Sequence, residues 1–168
     1  VSRSFQIMNL FDEYTTLDNI LVALPGMRIK GFNMLQSVSN DSAAQDRAAE
    51  ILRLVGLKGK ENTLSESLSY GERRALEIGV ALAAEPRILF LDEPTSGLGV
   101  EATARLADLI RQLKERYTIV IIEHDMHFLF GLADQISVIH WGQVITQGAP
   151  DDLRANKWVM NSALGSAA

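Results

Sequence analysis

The stretch from Leu68 to Glu93 constrains the fold of this 168-residue chain more than any other part. It opens with Ser69 and Glu72, whose S-x-x-E spacing is that of a capping box and predicts the first turn of a helix. Gly71 lies between them and allows close approach to the free backbone N–H groups of that turn. Because a helix N-terminus attracts anions, this end of the stretch is a candidate phosphate-binding site.

The other end of the stretch is a short apolar strand that stops at two carboxylates. Pro86 ends the preceding helix, and Arg87 to Leu91 follows as the continuous apolar run that is typical of a central, buried parallel strand. Asp92 and Glu93 come directly after it, at the sheet edge where α/β folds bind their ligands. Carboxylates in this place suit a hydrated Mg²⁺ and the polarisation of a water molecule.

Composition narrows the class of protein. Hydrophobic residues make up 47% and charged residues 22%, as in a globular domain with a real core. A formal net charge of −5 does not favour nucleic acid as a partner, and the absence of cysteine excludes disulfides and thiolate metal sites. Apolar runs such as Thr118 to Ile122 are too short to span a bilayer, and no signal peptide is visible. These features predict a soluble domain inside the cell.

The two ends of the stretch together resemble a known pair of motifs. LSYGE at residues 68–72 and ILFLDEP at residues 88–94 are similar, at this spacing, to the signature and Walker B motifs of ATP-binding-cassette (ABC) ATPases. The resemblance covers essentially the whole chain and implies an α/β fold with a P-loop NTPase-like, mostly parallel sheet flanked by helices. It places an ABC-type helical subdomain at about residues 10–68, the rest of the catalytic core at 69–148 and a C-terminal helical tail at 149–168. Strands that alternate with helices after residue 70 predict the same class independently.

The resemblance also implies catalytic roles. Glu93 would be the general base that polarises the attacking water, and Asp92 would orient Mg²⁺ through water. Gln6 matches the Q-loop, whose glutamine reaches towards Mg²⁺ and that water. His124 follows the strand Thr118 to Ile122 and matches the switch histidine that contacts the γ-phosphate. A lone Gln or His in a loop is commonly structural, so these two assignments rest on position relative to the other motifs.

Contacts with ATP held by an opposite subunit are implied for a second group of residues. In the family, the signature residues Ser69, Gly71 and Glu72 face that nucleotide. Ser96 begins a segment that resembles the D-loop, although Gly99 stands where an acidic or amide residue is usual. The alternative interpretation of the same residues is structural: a capped core helix followed by a core strand with acidic ends.

The chain departs from the family in having no phosphate-binding loop. That loop requires G-x-x-x-x-G-K-[ST]. The nearest stretch, residues 58–61, has Leu54 at the first glycine position and Glu61 at the last, so we interpret it as a surface turn. In the family the P-loop precedes the Q-loop, on a strand that we expect beside Arg87 to Leu91. We therefore expect these 168 residues to be an incomplete, C-terminal part of the domain, inactive by themselves.

Hydrophobic periodicity and turn residues predict the remaining elements. They are a helix within Leu10 to Leu24 capped by Thr16 or Asp18, a helix from Ser42 to Val55 that begins with a capping box at Ser42 and ends before Gly56, a helix from Val100 to Glu115, a short helix from Phe128 to Asp134, a hairpin of Gln135 to Ile139 and Gln143 to Thr146 around Trp141-Gly142, and a helix that starts at Pro150.

The function that the resemblance implies is MgATP binding and hydrolysis between two head-to-tail ATPase domains, homo- or heterodimeric, on permease subunits at the cytoplasmic face of the membrane. Residues 148–165 are similar to the end of branched-chain amino-acid-type importer ATPases, which suggests an amino-acid importer. Phe11, Tyr14 and Leu17 are candidates for the permease contact, although core burial explains them equally well. Two other functions stay open: a soluble ABC ATPase without a transporter, and a catalytically silent fragment that binds partners.

Overall fold

The computed structural model describes residues 10–25, 41–156 and 159, together with the backbone of Ser2 and Arg3. The chain divides into two compact units, residues 1–122 and residues 123–168. The predicted Q-loop residue Gln6 and the hard-to-assign stretch 28–40 lie outside the described residues. Within the described ranges, no helix combines the length and the apolar character needed to cross a bilayer.

A three-stranded parallel sheet forms the base of the first unit. Its strands are β1 (Ser2–Arg3), β2 (Ile88–Asp92) and β3 (Thr118–Ile122), in the order β1-β2-β3. The prediction of a central parallel strand is confirmed, because β2 pairs on both sides and buries Leu89 and Leu91. The helix α4 (Val100–Lys114) supplies the crossover that two parallel neighbours require.

Two expectations about this sheet are wrong. A P-loop strand cannot pair with β2, because β1 and β3 already occupy both of its edges. The β-branched run of β3 is not buried throughout either: its residues alternate between exposed and half-buried, and Ile122 is 55% exposed. In the described sheet β3 is an edge strand, and a continuous apolar run does not by itself show that both faces are covered.

Three helices of the first unit pack against one another. They are α1 (Thr16–Ala23), α2 (Ser42–Leu54) and α3 (Tyr70–Ala83). Their closest approach is at Gly79 on α3, where a Cβ atom would lie 3.0 Å from Cδ1 of Ile20 and 3.4 Å from Cγ2 of Ile51. The absence of a side chain at Gly79 therefore lets the three helices share one core.

The helix α1 begins one residue after a threonine that the sequence analysis did not select. Thr15 is the N-cap, and its hydroxyl accepts a hydrogen bond from the Asp18 amide at 3.1 Å. We had expected Thr16 or Asp18 to be the cap, and this prediction is wrong. Thr16 is already helical, and its hydroxyl donates to the Lys60 carbonyl at 2.7 Å.

The helix α2 has the predicted length but a different cap. Asp41 is the N-cap and accepts from the Ala44 amide at 3.2 Å, whereas the predicted cap Ser42 is the first helical residue. Asp and Ser are comparable caps, so the choice depends on which of the two has the extended backbone. The predicted stop is confirmed: Gly56 has a φ of +79°, the left-handed conformation that closes a helix.

The second unit contains α5 (Met126–Phe130), the antiparallel hairpin β4 (Ile136–His140) and β5 (Gln143–Gly148), and α6 (Pro150–Ala155). The hairpin turn is confirmed, with positive φ angles at Trp141 and Gly142 as a two-residue primed turn requires. The short helix α5 starts earlier than predicted because Asp125 caps it, accepting from the Phe128 amide at 3.1 Å.

We predict that Leu52→Ala lowers the free energy of unfolding of the chain by about 2–5 kcal/mol, because Leu52 is fully buried among the three helices and the change leaves a cavity. Urea denaturation followed by circular dichroism measures this. Leu64→Ala is the matched control: Leu64 is 42% exposed, so its loss should cost less than about 1 kcal/mol. Equal losses at both positions would contradict the described core.

Candidate functional site

The predicted capping box at the start of α3 is present. Ser69 is the N-cap, and its backbone N–H donates to the carboxylate of Glu72 at 3.0 Å. The Ser69 hydroxyl donates to the same carboxylate oxygen at 2.8 Å. Because Ser69 is exposed, the first turn of the signature helix is open to an incoming ligand.

Gly71 lies in a close packing contact within the chain. A Cβ atom on Gly71 would lie 3.2 Å from the Cβ of Ala102 on α4. The close approach that we attributed to a ligand therefore has a sufficient cause in the contact between α3 and α4. A second close contact joins the same region: a Cβ on Gly97, where φ is +74°, would lie 3.1 Å from the ring of Tyr70. These contacts bring the start of α3 against the D-loop-like turn.

The carboxylate of Glu72 also forms an ion pair with Lys60. The hydrogen bond from the Lys60 ammonium, together with those from Ser69, lowers the pKa of Glu72 to about 2. Glu72 therefore carries a full negative charge at neutral pH, beside the turn where an anion is expected.

The turn that contains Lys60 has the character expected of a surface turn. Gly59 has a φ of +83°, and its backbone N–H donates to the Glu61 carboxylate at 3.0 Å, which lowers the pKa of Glu61. The interpretation of residues 58–61 as a turn is confirmed.

Asp92 and Glu93 differ in backbone conformation. Asp92 is the last residue of β2, whereas Glu93 leaves the strand with a φ of +42°, in the left-handed region that side chains rarely adopt. Two backbone hydrogen bonds hold Glu93 there: its N–H donates to the Ile122 carbonyl at 2.8 Å, and its carbonyl accepts from the Ser96 amide at 3.1 Å. Strained residues of this kind are concentrated at functional sites.

Arg74 joins the two ends of the stretch. Its guanidinium, on the second turn of α3, donates to the carbonyls of Asp92 at 3.2 Å, Glu93 at 2.7 Å and Pro94 at 3.2 Å. Its remaining terminal nitrogen donates to the carboxylate of Glu77 at 2.8 Å. The signature helix and the end of the Walker B strand are therefore held together by one side chain.

The Arg74–Glu77 pair is largely removed from water, with side chains 10% and 15% exposed. Burial raises the pKa of Glu77, and the neighbouring Arg74 charge opposes that shift. Because the guanidinium also has three carbonyl acceptors, each of its three nitrogens has a hydrogen-bond partner within the protein. The described part of the chain contains no buried side-chain nitrogen or oxygen without a hydrogen-bond partner.

The D-loop-like segment is a turn between β2 and α4. Ser96 is exposed, and Leu98 closes the turn by donating its backbone N–H to the Thr95 carbonyl at 3.0 Å. Gly99, the departure from the family pattern, is the N-cap of α4. Glycine is an acceptable N-cap, so the departure is compatible with the local fold although it removes a side chain from the turn.

Ser69, Gly71, Glu72, Asp92, Glu93 and Ser96 all lie in the first unit, where Arg74 links α3 to the end of β2. Gln6 is outside the described residues. His124 belongs to the second unit, where its side chain is 80% exposed and its backbone N–H donates to the Glu123 carboxylate at 3.0 Å. The described residues contain no cluster of three or more acidic or histidine side chains that could hold a metal ion.

Sequence reasoning missed Arg74 and Lys60. Arg74 and Glu77 are opposite charges three positions apart, and that spacing is a signal for an ion pair on a helix. Lys60 had no comparable signal, because it lies 12 residues before Glu72 in a turn.

Comparison with known proteins shows the family to which the chain belongs. Residues 1–96 match a family model described as ABC transporter. The chain is 38% identical over 174 residues to the high-affinity branched-chain amino acid transport ATP-binding protein LivG of Escherichia coli K12, covering 99% of this chain and 68% of LivG. It is 36% identical over 176 residues to the corresponding protein BraF of Pseudomonas aeruginosa, with the same coverage.

A solved structure gives the same result for the fold. The ADP conformation of MJ1267, an ATP-binding cassette of an ABC transporter, superimposes with a TM-score of 0.80 at 25% identity, covering 98% of this chain and 68% of that one. The α/β, P-loop NTPase-like fold class that we expected is thereby confirmed as that of an ABC cassette.

We predict that Arg74→Met lowers the free energy of unfolding by about 3–5 kcal/mol, because it leaves Glu77 buried without its partner and removes a donor from three carbonyls. Arg73→Met is the control: Arg73 is 30% exposed and pairs with Asp12 at the surface, so its loss should cost about 1 kcal/mol or less. Thermal or urea unfolding of both variants measures the difference, and similar losses would show that the Arg74 contacts contribute little.

We also predict a pH dependence. Without Arg74 the pKa of Glu77, already raised by burial, should rise further. A carboxyl group with a raised native pKa favours folding below its ordinary pKa of about 4.5 and loses that contribution as pH rises through the native value. The deficit of Arg74→Met relative to the unsubstituted protein should therefore be larger at pH 8 than at pH 5. In the Arg74→Met/Glu77→Gln double variant this difference should vanish, and a pH-independent deficit in the single variant would contradict the assignment.

Proposed function

Because this chain belongs to the ABC transporter family of ATP-binding proteins, we propose that it acts as part of the ATPase subunit of an importer, with amino acids as the transported class. The observation that carries the proposal is the joining of the signature helix to the acidic end of β2 by Arg74 in one unit. The names of the relatives LivG and BraF support this substrate class. So does the name of the methionine import protein MetN of Staphylococcus haemolyticus, which is 40% identical over 150 residues, covering 88% of this chain and 41% of MetN.

In this proposal the acidic end of β2 works on nucleotide bound in the same subunit. Glu93 is the general base that takes a proton from the attacking water, and its constrained backbone fixes the direction of its side chain. Asp92 holds Mg²⁺ through water, which suits an ion that keeps most of its hydration shell and takes its other ligands from phosphate. Gln6 and His124 complete the set as the Mg²⁺-sensing glutamine and the γ-phosphate contact.

The start of α3 works on nucleotide bound in the opposite subunit. Ser69 donates to its γ-phosphate, the backbone N–H groups at Gly71 and Glu72 add the positive end of the helix dipole, and Ser96 contributes from the D-loop-like turn. Two such subunits, identical or different, close head to tail around ATP. Closure and hydrolysis then drive transmembrane permease subunits at the cytoplasmic face of the membrane.

The stacked pair Phe11 and Tyr14, just before α1, belongs to the permease contact in this proposal. Phe11 is 52% exposed and stacks on Tyr14, with ring centroids 5.2 Å apart. Of the three residues that core burial could equally have explained, Phe11 is thus on the surface, and Tyr14 and Leu17 are half-buried.

The second candidate function, a soluble ABC ATPase without a transporter, shares the whole site. It differs only in having no permease partner, so ATP-dependent retention of membrane permease subunits by the protein separates the two. A partner-binding role without catalysis is the third candidate, and an ATPase assay separates it from the other two.

The catalytic assignment is tested in the chain preceded by a P-loop-bearing N-terminal segment of an ABC ATPase, called here the P-loop form. In it, Glu93→Gln should lower the hydrolysis rate by roughly a hundredfold or more, because the amide cannot accept a proton, while ATP binding and the closed dimer persist. Asp92→Asn should instead weaken Mg²⁺-dependent nucleotide binding.

Glu101→Gln is the matched control, since Glu101 is a 91% exposed acid on α4 and should have ordinary activity. The measurements are steady-state hydrolysis, nucleotide affinity with and without Mg²⁺, and dimer fraction by light scattering. An identical defect in Glu93→Gln and Asp92→Asn would refute the division of roles, and retained hydrolysis in Glu93→Gln would refute the assignment of the base.

A further inference from the structure

We propose that Lys60 is a positioning residue for the signature motif: it neutralises the charge of Glu72 so that the start of α3 can accept a phosphate. The inference rests on the proposed function, because the phosphate belongs to ATP bound by the opposite subunit. The ion pair between Lys60 and Glu72 is the observation from which it starts.

The charge of Glu72 creates the need for such a residue. Its carboxylate receives the Ser69 backbone N–H and the Ser69 hydroxyl, so it lies directly at the first turn of the helix. That turn offers a partial positive charge to an anion, and an ionised carboxylate beside it cancels much of that attraction. A triphosphate would meet a like charge at the place where it must be bound.

Lys60 is held where it can cancel this charge. The buried Thr16 hydroxyl donates to the Lys60 carbonyl at 2.7 Å, and the Thr63 amide donates to the same carbonyl at 2.9 Å. The Lys60 backbone is therefore fixed against the N-terminus of α1, while the side chain reaches Glu72. The net charge of the pair is zero, so the pair opposes the helix dipole at Ser69 less than the Glu72 carboxylate would alone.

The ion pair contributes little to folding. Its side chains are 41% and 32% exposed, and ion pairs with this much solvent contact add little to stability. A change at Lys60 should thus leave the unfolding transition nearly unchanged. Its effect should be specific to the step in which phosphate arrives, so stability and dimerisation give independent measurements.

The test uses the P-loop form at pH 7.5, in the Glu93→Gln background that traps the closed dimer. The readout is the ATP concentration that gives half-maximal dimerisation. Lys60→Ala should raise this concentration about three- to tenfold, because one uncompensated like charge near phosphate costs that much in a partly solvated site. Lys60→Arg should restore it, since the guanidinium keeps the charge.

Glu72→Gln supplies the decisive comparison, because it removes the charge that Lys60 is proposed to cancel. Lys60→Ala should have no further effect on dimerisation in the Glu72→Gln background. If it weakens dimerisation equally with and without Glu72→Gln, Lys60 acts on the nucleotide or the fold directly and the inference is overturned. Normal dimerisation by Lys60→Ala alone overturns it as well.

Lys58→Ala is the control for general loss of positive charge, since Lys58 lies in the same exposed turn and the ion pair with Glu72 belongs to Lys60. A thermal melt of each variant checks that the fold is kept. If the unsubstituted P-loop form fails to dimerise with ATP, the proposed function fails, whereas dimerisation that ignores Lys60 rejects only this inference.

Discussion

The guanidinium of Arg74 is the contact on which the arrangement of the candidate site depends. It places a permanent charge between a helix and the end of a strand, and it uses three successive backbone carbonyls and one carboxylate as acceptors. Bonds to the backbone fix the course of the chain at the end of β2, because these peptide groups have a defined partner on α3.

On α3, exposure to solvent determines the direction in which the pKa of a glutamate shifts. Glu72 and Glu77 lie on the same helix and each pairs with a cation, yet their pKa values move in opposite directions. Glu72 is near the surface, where hydrogen bonds from Lys60 and Ser69 outweigh a small desolvation penalty. Glu77 is inside the fold, where the loss of water outweighs its contact with Arg74. The start of α3 thus carries the ionised Glu72 near solvent, whereas Glu77 forms a buried ion pair with Arg74 further along the helix.

Much of this could be predicted from the sequence, because the informative signals are local. The capping box at Ser69, the left-handed stop at Gly56 and the hairpin turn at Trp141 depend on residues within a few positions of one another. The targets of Arg74 could not be predicted, since they are carbonyls 18 to 20 residues away that any sequence would supply. Gln6 and His124 stay predictions, because their roles depend on the relative positions of separate parts of the chain.

Glu93 has a backbone conformation that glycine or asparagine would adopt with less strain. A non-glycine residue in the left-handed conformation lowers stability by about 1–3 kcal/mol. It persists because hydrogen bonds of the neighbouring peptide groups hold the backbone in place. In the proposed function, stability and acid–base chemistry therefore make opposite demands on the amino acid at this position. Selection for stability alone would favour replacing this glutamate, and a stabilised descendant would keep its fold while losing the proposed general base.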